Sequence, residues 1–168
     1  TFQWEDISTN LPNPKIGNSL QALAVASFTG QPQPEVAICK VLDPGAPRGQ
    51  RNNIGVYAWR AAEKRWEQID QGLDRDESYR DVKAADMNND GKPDLVVMSR
   101  ESGAVIYLGD GTGKFTPKGR LPGLRSRGRI ALGDIDGDGR TDIAITSSAS
   151  KSTPGGGGVF AFLNRPDI

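Results

Sequence analysis

The run Asp134-Ile135-Asp136-Gly137-Asp138-Gly139-Arg140-Thr141-Asp142 carries the sharpest chemistry in the chain. Carboxylates stand at its positions one, three, five and nine, and Gly139 is at six. Hard divalent cations need several oxygen ligands at once, and Ca²⁺ takes roughly six to eight. A short loop offers that many only if alternate residues turn inward and a glycine allows a sharp turn. The main-chain carbonyl of Arg140, at position seven, adds a further oxygen. An EF-hand loop would close on a Glu at position twelve and run on as a helix. Position twelve here is Ile145, within the apolar run Ile143-Ala144-Ile145, so the loop leads into a strand instead.

The pattern occurs twice more. Asp86, Asn88, Asp90 and Asp94 hold the same four positions, with Gly91 at six, Lys92 at seven and the strand-like Leu95-Val96-Val97-Met98 following. In the first copy Ser27, Thr29, Gln31 and Glu35 take the ligand positions and Pro32 replaces the glycine. Polar turns between strands are the plain alternative, because Asp, Asn and Gly dominate turns in any case. The ligand spacing favours two Ca²⁺ sites. One is Asp86, Asn88, Asp90 and Asp94 with the Lys92 carbonyl, the other Asp134, Asp136, Asp138 and Asp142 with the Arg140 carbonyl. For the loop at 27 the plain turn is the better reading, since Glu35 is its only carboxylate.

These loops need a scaffold, and the composition bounds it. The 168 residues suffice for one domain with a substantial core. Lys plus Arg and Asp plus Glu are both 21, so the net charge is zero. That argues against a nucleic-acid binder, whose affinity rests on phosphate neutralisation; the cluster from Arg120 to Arg129 reads as a solvated loop. No apolar run approaches the length of a membrane span. There is no His, which removes the commonest general base. Cys39 is alone, so no disulfide framework exists, and it lies in the apolar run Val36-Ala37-Ile38-Cys39 as an inert buried thiol would. The chain begins at Thr1, as a processed or excised segment would.

The loops begin at 27, 86 and 134, so they are 59 and 48 residues apart, a period typical of repeat architectures. A short strand precedes each loop (Leu23 to Ala26, Val82 to Ala85, Ile130 to Gly133) and another follows (Glu35 to Cys39, Asp94 to Met98, Asp142 to Thr146). Third strands are expected at Val56 to Trp59, Val105 to Leu108 and Val159 to Leu163. Fourth strands are expected at Trp66 to Ile69 and Phe115 to Lys118, the latter after an Asp110-Gly111 hairpin signal. Helical periodicity is absent. The expectation is an all-β chain of about three four-stranded antiparallel β-propeller blades, spanning 20–70, 79–119 and 128–168, in one propeller segment over 1–168. The third blade lacks a fourth strand, whereas Trp4-Glu5-Asp6-Ile7 repeats the Trp-Glu-x-Ile of Trp66 to Ile69. Residues 2–8 therefore read as a blade strand without its blade.

Asp86 to Asp94 with Leu95-Val96-Val97, then Tyr107 to Phe115, and Asp134 to Asp142 together resemble the FG-GAP/VCBS repeat family. Those are the calcium-loop β-propellers of integrin α-subunits and many secreted microbial proteins. The resemblance implies Ca²⁺ held between the first two strands of a blade, and adhesion, lectin or accessory roles.

Three functions are open at this point. The first is a calcium-stabilised, non-catalytic interaction module, secreted, cell-surface or periplasmic, where millimolar calcium fills even weak sites. Its partner would be another protein chain, further propeller blades or a second copy of itself. The second is a lectin-like propeller that binds glycans, with Trp59, Tyr57 and Tyr107 as stacking platforms. The third is an accessory propeller segment of a polysaccharide-degrading enzyme. No His, no Gly-x-Ser-x-Gly and no convincing acid/base pair make the chain itself an enzyme, and the non-catalytic module is the expectation.

Overall fold

The computed structural model describes residues 3–8, 10–11, 19–40, 47, 51, 53–121, 128–147 and 157–165. Among them every regular element is a strand. The first sheet runs β1 (Leu20–Ala26), β2 (Glu35–Lys40), β3 (Ile54–Arg60) and β4 (Arg65–Gln68), in that spatial order. The second runs β5 (Tyr79–Ala85), β6 (Asp94–Ser99), β7 (Gly103–Gly109) and β8 (Phe115–Arg120). The third holds β9 (Ile130–Gly133), β10 (Asp142–Ser147) and β11 (Gly158–Phe162), with β10 central. All pairings are antiparallel between sequence neighbours, which makes each sheet a meander and a propeller-like blade; the blades form an arc, not a closed ring.

The strands follow from their patterning. Strand β5 alternates: Val82 and Ala84 turn to one face, Asp81 and Lys83 to the other. Strand β6 is buried from end to end because both faces of its blade are covered. The hairpin after β7 is set by Asp110, whose Oδ1 accepts from the N–H (2.8 Å) and hydroxyl (2.7 Å) of Thr112, and by left-handed backbone at Gly111 and Gly113.

Each blade has a forward face, toward the next blade, and a rear face. Small side chains on the forward face of blade one (Ala22, Ala24, Ala37, Cys39) meet large ones on the rear face of blade two (Tyr79, Leu95, Val97, Tyr107, Phe115). A second core joins Val96, Met98 and Ala104 to Ile130, Ile143 and Ile145 of blade three. Burying a Val, Leu or Ile side chain contributes about 1.5–3 kcal/mol, so these two seams hold the arc together. The inner strands β1, β5 and β9 lie side by side, and Arg129 Nη1 ties them by donating to the carbonyls of Arg80 (2.7 Å) and Gln21 (3.3 Å).

The N-terminal segment lies against blade one. Residues 3–8 form no strand; instead Trp66 Nε1 donates to the Ile7 carbonyl at 2.7 Å. The segment pairs with no strand among the described residues, so it makes no ladder hydrogen bonds.

Candidate metal centre

The third loop is built around its first residue. Asp134 Oδ1 accepts from the N–H groups of Gly137 (2.7 Å) and Asp138 (3.1 Å), and Oδ2 from that of Gly139 (2.8 Å). That wrap needs left-handed backbone at positions four and six, where Gly137 has φ 78° and Gly139 φ 84°. The second loop repeats it: Asp86 accepts from Asp90 (3.2 Å) and Gly91 (2.7 Å), with φ 60° at Asn89 and 80° at Gly91. In the first loop Gly30 has φ 67° at position four, but Pro32 cannot take a left-handed turn at six. There the Ser27 hydroxyl donates to the Gln31 carbonyl at 2.8 Å. Sequence reasoning used position six and missed position four. The signal was Gly30, Asn89 and Gly137, all types that tolerate positive φ.

The structure brings Asp134, Asp136 and Asp138 together: one carboxylate oxygen of each lies within 4.8 Å of the others, and all three residues are exposed. Three like charges this close repel, and two guanidinium groups offset that. Arg165 reaches Asp136 Oδ2 (2.8 Å) and Asp138 Oδ2 (3.2 Å). Arg140 pairs with Asp138 through its side chain, donates its N–H to Asp138 Oδ1 (2.9 Å), and donates Nε–H to the Asn164 carbonyl (2.6 Å). The second loop gathers fewer charges. Asp86 and Asp90 flank Asn88, whose Oδ1 accepts from the Asp90 N–H (3.1 Å) and whose Nδ2 donates to Asp90 Oδ2 (3.2 Å). The Lys92 N–H donates to Asp90 Oδ1 at 2.9 Å.

Position nine stands apart from both clusters. Asp94 is fully buried; its Oδ2 accepts from the Met87 N–H (2.7 Å) and its Oδ1 from the Gly109 N–H (2.8 Å). Asp142 does the same with Ile135 (2.8 Å) and Asn164 (2.7 Å). Each carboxylate therefore clamps its loop to the end of the third strand of its blade. The N–H donors of Asn164 and Ile135 hold the Asp142 carboxyl below its usual range. Burial pushes Asp94 upward, against the pull of the same two kinds of donor. In the first loop Glu35 accepts from the Phe28 N–H at 2.7 Å and from the Thr29 hydroxyl.

The donor set at 134 fits a hard cation, since three convergent carboxylates are oxygen ligands at the spacing such an ion needs. Asp134, Asp136 and Asp138 would hold it, and Asp86, Asn88 and Asp90 are the corresponding, less charged set. The aromatic residues that could stack on sugars are placed differently: Tyr57 and Tyr107 are buried, and Trp59 lies against Trp66 with ring centroids 5.6 Å apart.

No helix among the described residues is long and apolar enough to cross a membrane. Comparison with curated proteins finds no match. Residues 86–145, which run from the first ligand position of the second loop into β10, match the FG-GAP-like repeat family. Over that stretch the chain is similar to an FG-GAP-like repeat, in keeping with its propeller-like blades.

Proposed function

We propose that this chain is a calcium-stabilised, non-catalytic interaction module that works outside the cytoplasm (secreted, at the cell surface or in the periplasm) and engages a protein partner. The observation that carries the reading is the convergence of Asp134, Asp136 and Asp138 at the tip of a loop whose backbone is shaped around position one. A bound Ca²⁺ supplies fixed positive charge that draws these carboxylates together and stiffens the joint between the first two strands of the blade. Millimolar calcium outside cells would keep such an exposed site filled even at modest affinity. A glycan-binding role loses its platforms at Tyr57 and Tyr107, both of which are buried, Tyr107 in the core between blades one and two.

Calorimetry on the full chain after chelator dialysis tests the metal reading. Calcium uptake at the 134 loop is expected, and Asp138→Ala should abolish it. At 100 times the dissociation constant, an ion raises stability by roughly 2.7 kcal/mol, visible as a higher melting temperature. Absence of calcium heat together with identical melting curves in calcium and in chelator would refute it.

A further inference from the structure

The clamp between position nine and the third strand brings a different residue beside each acidic loop. In blade two the N–H donor to Asp94 is Gly109, and the next residue is Asp110, whose carboxylate turns away to Thr112. In blade three the donor to Asp142 is Asn164, and the next residue is Arg165. Asn164 is held by its backbone and its side chain. Its N–H reaches Asp142 Oδ1 (2.7 Å), its Nδ2 the carbonyls of Met87 (2.7 Å) and Thr141 (3.2 Å), and its own carbonyl accepts from Arg140 Nε (2.6 Å). Arg165 is thereby positioned over the loop, and its guanidinium forks across it. One nitrogen lies 2.8 Å from Asp136 Oδ2 and the other 3.2 Å from Asp138 Oδ2.

The two arginines at this loop sit differently. Arg140 belongs to the loop, and its bond to the Asn164 carbonyl ties it to the frame. The Arg165 side chain is 54% exposed, above carboxylates that are 24% and 22% exposed. It covers their oxygens and can swing into water without breaking a bond of the frame. The charges are matched as well. Asp134, Asp136 and Asp138 face two guanidinium groups. Among the described residues Asp86 and Asp90 face Lys92, whose Nζ is 4.0 Å from Asp90 Oδ2. Each cluster is left with one net negative charge, so Arg165 cancels the extra carboxylate of the third loop.

We propose that Arg165 is a resident counter-ion of the 134 loop, which a divalent cation has to displace; the inference rests on the calcium reading above. An oxygen that faces guanidinium N–H groups is not free to face a metal ion, so Asp136 and Asp138 offer theirs only once Arg165 has left. Where calcium is scarce, Arg165 closes the loop and offsets the repulsion among its carboxylates. Where calcium is abundant, the exchange puts two positive charges in place of one, which favours opening of the fork; a monovalent ion brings no such gain. Arg165 thus weakens the site and sets the calcium concentration at which it fills. The 86 loop has no such residue and fills independently of Arg165.

Calcium titration of the ¹⁵N-labelled full chain, followed by NMR, reads the two loops separately through the N–H signals of Gly139 and Gly91. Arg165→Gln should lower the dissociation constant read at Gly139 by about tenfold, or about 1.4 kcal/mol, the scale of two half-exposed ion pairs. The value read at Gly91 should not change. Arg165→Lys keeps the charge but loses the fork, and should lower the Gly139 value by a smaller factor. In the wild type the Arg165 Nε–H signal should shift with the same midpoint as Gly139. Equal Gly139 values in wild type and Arg165→Gln overturn the proposal and leave the calcium reading standing. So does an Arg165→Lys value equal to wild type beside a tighter Arg165→Gln, because charge at a distance then suffices. No calcium-dependent shift at Gly139 in any of the three proteins defeats the calcium reading itself, and this proposal with it.

Discussion

Replacing Asp94 separates two roles that one carboxylate could play. The residue is fully buried, and its two oxygens hold the N–H groups of Met87 and Gly109 at 2.7 and 2.8 Å. Asp94→Ala removes both acceptors, and an interior donor left without a partner costs about 1–3 kcal/mol. Two such donors imply about 2–6 kcal/mol, a large share of the 5–15 kcal/mol that stabilises a typical domain. Asp94→Asn keeps one acceptor and turns an amide N–H toward the other donor, so about 1–3 kcal/mol is expected. The assay is urea unfolding of both variants in excess chelator, where no cation contributes. A pH series adds a second handle. Burial raises the folded-state pKa of Asp94 above its ordinary value of 3.8, so the stability linked to its protonation is present at low pH and lost as pH rises through the raised value. The gap between wild type and Asp94→Asn should therefore narrow across that window. If both variants match wild type in chelator and lose stability only in calcium, Asp94 is a cation ligand alone and the clamp is wrong.

Three further outcomes follow from other sites. Cys39 is fully buried, and burial pushes its thiol up to about 12, so alkylation near neutral pH should proceed in denaturant and stall in buffer; fast labelling of the native chain would contradict the burial. Gly72→Ala places a Cβ 2.1 Å from the Phe115 carbonyl oxygen at a backbone φ of +85°, so a loss of about 1–3 kcal/mol is expected from that strain, and an unchanged denaturation midpoint would show that the link between blades one and two yields freely. Glu35→Gln should destabilise the fold by about 1–3 kcal/mol to the same extent in calcium and in chelator, and a calcium-dependent cost would show that the first loop still holds an ion.

Strands and loops were legible because two periods overlap in this sequence. Alternation as in Val82-Lys83-Ala84 marks a strand with two different faces, and Asp and Gly at fixed offsets mark the turns. The bulge shared by β1 and β5 was not legible, since it arises from register between strands. Nor was the fate of residues 3–8. The same Trp-Glu-x-Ile pattern forms a strand at Trp66 and none at Trp4, because pairing is decided by what lies alongside and not by the four letters. Aromatic residues on strands serve packing and recognition alike, more often packing; Tyr57 and Tyr107 are both buried, and for Tyr107 it is the face of blade one that covers it.

The ligand loops show the deepest ambiguity, and the chain itself resolves part of it. An aspartate that binds a cation and an aspartate that accepts backbone N–H groups are the same letter at the same offset. The first loop has lost its carboxylates at positions one, three and five, where Ser27, Thr29 and Gln31 now stand, and its glycine at six is Pro32. Were position nine only a ligand, nothing would hold a carboxylate there. Glu35 nevertheless remains, buried, one methylene longer than Asp, with its oxygen 2.7 Å from the Phe28 N–H as Asp94 reaches Met87 and Asp142 reaches Ile135. The N–H it satisfies belongs to the residue that each loop sends into the seam with the next blade, as Phe28 and Met87 do. Position nine therefore fixes the seam, and positions one, three and five gather the charge. Blade one lacks the second set and still stacks, because the clamp that aims its position-two side chain at its neighbour is a hydrogen bond from the backbone to position nine.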